Sequence, residues 1–90
     1  MRKELVEIFS DQANAAVVRH PGRNYPGLLL QGDSLYSLYR DVDELCQMLD
    51  PTVEAFLEAD DLRNRLRAFL VHYKNVLAEH EITLPFSDFD

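Results

Sequence analysis

Ninety residues suit one domain, residues 1–90, with a thin core. A hydrophobic fraction of 47% excludes a disordered chain, and a single cysteine, Cys46, excludes an internal disulfide framework and fits a reducing compartment. A net charge of −7 argues against binding nucleic acid through its phosphates.

The first nine residues carry two acids where a signal peptide needs an unbroken apolar run, and no stretch approaches the ~20 apolar residues of a membrane span. The expectation is a cytoplasmic protein with no membrane partner.

Residues 3–9 read as a strand, with Val6 and Ile8 on one face and Leu5, Glu7 and Phe9 on the other. A polar turn, Ser10-Asp11-Gln12-Ala13-Asn14, leads to a second strand over 14–20, centred on Val17 and Val18. The short link predicts an antiparallel hairpin. Two Pro-Gly pairs, Pro21-Gly22 and Pro26-Gly27, punctuate the next loop. The third strand spans 27–31. The unbroken run Leu28-Leu29-Leu30 reads as core, in a strand that is central or covered on both faces.

Gly32 breaks the strand, and Asp33 or Ser34 is the expected N-cap of a helix over 33–50. Leu35, Leu38, Tyr39, Val42, Leu45, Cys46 and Leu49 recur at three- and four-residue steps, which makes one apolar stripe. Asp50-Pro51 has the form of a cap followed by a first helical residue, which predicts a second helical stretch over 51–81. That stretch is one long helix or is broken near Ala59-Asp60-Asp61. Phe56 and Leu57 sit off the stripe and Asp60 has the chemistry of a new cap, which favours two helices or a kinked one. In the tail, 82–90, Thr83-Leu84-Pro85-Phe86 is expected to be extended, along the sheet edge, and 87–90 frayed. The predicted architecture is α+β: three short antiparallel strands followed by two or three helices packed on one sheet face.

No catalytic motif is present. His72 and His80 are eight residues apart and no ligand pair stands at metal spacing, so neither a metal nor another cofactor is expected. Cys46 lies on an apolar stripe with Asp41, Asp43 and Glu44 nearby, which is the setting of a small core side chain and not of a reactive thiol. The stretch with the chemistry of a binding surface is the loop holding Arg19, His20, Arg23, Asn24 and Tyr25. Arg and Tyr anchor protein interfaces, and Arg forks onto carboxylates or phosphates. The structural alternative is that Arg19 and Arg23 pair with acids of the helical layer.

Charge divides unevenly. Residues 1–32 hold four basic and three acidic residues, +1; residues 33–90 hold five and thirteen, −8. An acidic helical half attracts a basic protein partner, and also keeps a small protein in solution. The amphipathic helices also fit a homodimer.

The pattern Arg-x-Pro-Gly-Arg-x-x-Pro-Gly at 19–27, followed by Gln-Gly-Asp-Ser-Leu at 31–35, resembles a bacterial family of small proteins known only as a domain of unknown function. A shorter stretch is similar to HicB-type antitoxins. It comprises Tyr25-Pro26-Gly27, a short strand, Gly32-Asp33-Ser34 and the helix from Leu35. That resemblance implies a small α+β fold and a role in neutralising a basic ribonuclease. The chain departs from it after Asp50, where a long helical stretch replaces any DNA-binding segment. Three readings follow: an antitoxin-like or immunity-like neutraliser, a self-associating structural or regulatory module, and an enzyme acting on a small anionic substrate through the loop at 19–25.

Overall fold

The computed structural model describes residues 1–89. The described chain holds three strands and two helices: β1 (Glu7–Ser10), β2 (Ala15–Arg19), β3 (Gly27–Leu30), α1 (Gly32–Met48) and α2 (Glu54–Glu79). This is the expected α+β order. It divides into two compact units, Met1–Gln31 and Gly32–Asp90.

The first unit is an antiparallel sheet in the order β1-β2-β3. Val17 and Val18 place β-branched side chains in the middle strand, where they meet neighbours on both sides. Glu7 faces Arg19 and Ile8 faces Val18, but Ser10 faces Val17, so the extra residue Phe9 forms a bulge. β1 begins at Glu7 rather than near residue 3. The leucine run also differs from its reading. β3 is an edge strand and β2 the central one, while Leu28 and Leu29 are exposed and not core. An apolar run says that side chains of both faces are apolar; it does not say that anything covers them.

The second unit is an antiparallel pair of helices. Leu70 is fully buried, and Cys46 and Ala59 are buried with it, which places the Cys46 thiol in the core as its apolar stripe predicts. Gly32 opens α1 directly beneath the ring of Tyr73, where an added Cβ would collide with the ring atoms. Arg63 ties the helices together, donating from Nη1 to Asp43 at 2.9 Å and from Nη2 to Asp60 at 2.6 Å. Hydrogen bonds to Asp60, then Asp43, raise the Arg63 pKa above its ordinary value.

α2 runs without a break from Glu54 to Glu79, against the expectation of two helices or a kink. Asp60 caps nothing: it is held by Arg63 one turn further on. Nor does the helix start at Pro51. The Asp50 carboxylate accepts from the Thr52 amide at 2.9 Å and the Thr52 hydroxyl at 2.8 Å, closing a separate turn before Val53. Those two donors, the amide first, lower the Asp50 pKa below the ordinary aspartate range.

Beyond α2 the chain reverses at Glu81, which has φ 57. The Ile82 amide donates to the Leu77 carbonyl and the Glu81 amide to the Ala78 carbonyl, which is the Schellman pattern with glutamate in the position glycine usually takes. The tail then returns over the helices. Phe86 stacks on Tyr36 with centroids 4.2 Å apart, and Phe89 lies near Tyr36 and Tyr39. Arg67 and Lys74 stand over the Phe89 ring, and Lys74 donates to Asp88 at 2.7 Å. Residues 83–86 thus hold an aromatic contact with the helices, and of the end expected to fray, 87–89 is packed in this way. Asp90 lies outside the described residues.

Candidate functional site

The β2–β3 connection is built by local chemistry. Pro21 fixes its own φ, and Gly22 adopts φ 83, a left-handed value that glycine reaches without a Cβ penalty. The Arg23 amide donates to the His20 carbonyl at 3.1 Å. Proline at the second position and positive-φ glycine at the third are the requirements of a type II turn. The His20 ring leans back on this turn, with Nδ1 2.7 Å from the Pro21 carbonyl oxygen. A carbonyl only accepts, so Nδ1 carries the proton and donates.

Arg19, at the end of β2, is committed within the sheet. Its Nε donates to Glu7 Oε1 at 3.0 Å, and its Nη2 reaches Oε1 and Oε2, each at 2.7 Å. The guanidinium also stands 5.7 Å from the centre of the Phe9 ring. The alternative in which Arg19 pairs with the helical layer is therefore corrected: its partner is the strand beside it. Among the described residues no acid pairs with the Arg23 side chain.

An open groove of about 680 Å³ lies along this loop and the adjoining strand. His20, Arg23, Asn24 and Tyr25 line it together with Val18, Leu28 and Leu29. Arg19 lines a separate hollow of about 200 Å³ with Glu7 and Pro21, which His20 and Arg23 also border. Four of the five residues singled out in the loop thus share one groove, and Arg19 stands beside it. Reading the leucines as core hides the aliphatic lining, and the unbroken apolar run of β3 carries no alternation that would reveal it.

Chemically the groove offers a guanidinium, an amide and a phenol over an aliphatic floor. Among the described residues the hydrogen-bond partner of the His20 ring is the Pro21 carbonyl and not a carboxylate. Among the described residues no three His, Cys, Asp or Glu side chains converge as metal ligands, and no helix is long and apolar enough to cross a membrane.

No curated protein matches the chain, and no solved structure matches it. Residues 1–86 match the model of a family of unknown function, DUF6959. The match takes in all three strands, the loop and both helices, so the chain belongs to the DUF6959 family.

Proposed function

We propose that the protein is a non-catalytic binder, an antitoxin-like or immunity-like neutraliser that grips a protein partner through the β3 edge and the adjoining loop. The observation that carries this reading is an unguarded sheet edge beside a groove. Leu28 is 71% exposed and Leu29 60%, and β3 bears no charge, proline or bulge to discourage pairing. The opposite edge, β1, has the Phe9 bulge and Glu7.

An extended segment of the partner adds to β3 through backbone hydrogen bonds, and its side chains meet Leu28 and Leu29. Arg23 and Tyr25 anchor the end of that segment, Arg23 through a carboxylate or carbonyl. The charge of −7 steers a basic partner, and the encounter slows as salt is added. The direct passage from Tyr25-Pro26-Gly27 through β3 into α1 supports the HicB-like reading.

Affinity capture with the full chain tests this, comparing wild type with Arg23→Ala and Tyr25→Ala. The expected result is a protein held by the wild type, released by salt and lost from both variants. Recovery of nothing but the chain itself, or a partner that both variants retain unchanged, overturns the reading.

A further inference from the structure

We propose that two copies of this chain associate through their helix pairs into a four-helix bundle, with Leu38, Leu45, Leu62 and Phe69 at the seam. This goes beyond the sheet-edge reading and does not depend on it.

The argument begins with spacing. On α1, Leu35 and Val42 fall at one heptad position and Leu38 and Leu45 three residues after it. On α2, Ala59, Leu66 and Tyr73 alternate in the same way with Leu62, Phe69 and Val76. α1 therefore keeps an unbroken 3-4 repeat from Leu35 to Leu45, and α2 one of more than two heptads from Ala59 to Val76. A repeat of 3.5 residues holds an apolar seam against another helix, which gives it a helical occupant.

The structure shows how much of that seam is already used. Cys46 and Leu70, one step around each helix, are buried inside the hairpin. The outer positions are not: Leu38 is 49% exposed, Leu45 48%, Leu62 45% and Phe69 63%. The tail occupies the other side. Tyr36 on α1 and Arg67 on α2 receive Phe86 and Phe89. At 3.6 residues per turn, Leu38 lies about 200° around α1 from Tyr36, and Phe69 about 200° around α2 from Arg67. One side of the hairpin is thus closed by the tail, and the other presents four large apolar side chains.

A second copy fits this face in area and in charge. The shorter helix has 17 residues. Two helices of about 25 Å, set 8–10 Å apart, present roughly 500 Å² per copy, or about 1,000 Å² in all, which meets the lower bound of a specific interface. The flanking positions hold both signs, Asp41 and Glu58 against Arg65, so a copy related by a two-fold axis has opposite charges to offer. Apolar residues at the seam with an inner row consumed within each hairpin are the arrangement of a four-helix bundle, in which every helix touches two neighbours.

Sedimentation equilibrium of the full chain, from low to high micromolar, is the test. The wild type is expected at twice the chain mass. Phe69→Glu should weaken association by about thirtyfold or more while keeping the helical circular dichroism of the wild type. Leu57→Glu, exposed but off the seam, and Leu28→Glu, on the sheet edge, should leave the dimer intact. If Phe69→Glu loses its helical signal, Leu38→Lys on the other helix carries the same expectation. A wild type that stays monomeric at high micromolar concentration overturns the proposal. So does a folded seam variant that remains dimeric, or dissociation caused by Leu28→Glu alone, which would move the interface to the sheet.

Discussion

The sheet and the helix pair come from the same chain but bury their side chains differently. No residue of Met1–Gln31 is buried, whereas Gly32–Asp90 holds Leu70, Cys46 and Ala59 away from solvent and closes one side with an aromatic tail. The sheet is held by backbone ladders, a type II turn and one cross-strand fork from Arg19 to Glu7. An exposed ion pair of that kind contributes roughly 0.2–1 kcal/mol. The helix pair adds apolar burial, at about 25 cal/mol per Å² removed from water. The stability of this protein therefore resides mainly in residues 32–89, and the groove is carried by the less anchored part. Binding loops are ordinarily drawn from the low-stability end of a structure.

The sharpest way to break this contrast is to cut one leucine from each unit. Leu70 is 0% exposed, so Leu70→Ala leaves a cavity and should cost about 2–5 kcal/mol. Leu29→Ala removes a side chain that is mostly in water and should cost under about 0.5 kcal/mol. Denaturant melts followed by helical circular dichroism measure both. Equal losses would mean that the sheet carries as much of the fold as the helices do.

Gly32 tests the helix pair where α1 meets the Tyr73 ring. A Cβ there meets the outer end of the Tyr73 ring, so the ring must shift to admit it. Gly32→Ala gains helix propensity of about 1 kcal/mol at most, and overpacking costs about 1–3 kcal/mol. The expected net change is a loss of about 1 kcal/mol, together with an altered tyrosine fluorescence as the ring shifts. A more stable Gly32→Ala variant would show that the contact between α1 and α2 is looser than the buried pair Cys46 and Leu70 implies.

Much of this division was legible in the chain itself, and the parts that were not share a cause. The stripe from Leu35 to Leu49 and the Pro-Gly pairs announce α1 and the loop because their signals are local: a period and two dihedral preferences. Asp50-Pro51 and Asp60 misled for the same reason. Each has the chemistry of a cap, but Asp50 spends its carboxylate on Thr52 and Asp60 on Arg63, and only the folded neighbours decide which. Arg19 and Glu7 meet because Phe9 is bulged out of register, which no local signal marks. Extended structure at the sheet edge for 83–86 and fraying for 87–90 are what the tail's sequence suggests, because Phe86 and Phe89 belong to no period; their partners, Tyr36 and Lys74, are distant in sequence. The loop residues were found from composition alone, while the aliphatic half of the groove depended on knowing that β3 is an edge.

The reversal at Glu81 offers the finest adjustment of the comparison, because it affects only the helical unit. A left-handed conformation costs a residue with a Cβ roughly 1–2 kcal/mol, and glycine avoids that cost. Glycine also loses more freedom on folding, which returns about 0.5–1 kcal/mol of the gain. Glu81 is exposed, so the substitution removes no buried contact. Glu81→Gly should therefore stabilise the protein by about 0.5 kcal/mol, seen as a small rise in the denaturation midpoint with an unchanged slope. Amide exchange locates the effect. Protection should increase at Ile82, whose N–H closes the cap on Leu77, and stay the same in β1, β2 and β3. A gain shared equally by the strands would mean that the two units unfold together, and the contrast between them would then be one of burial alone and not of stability.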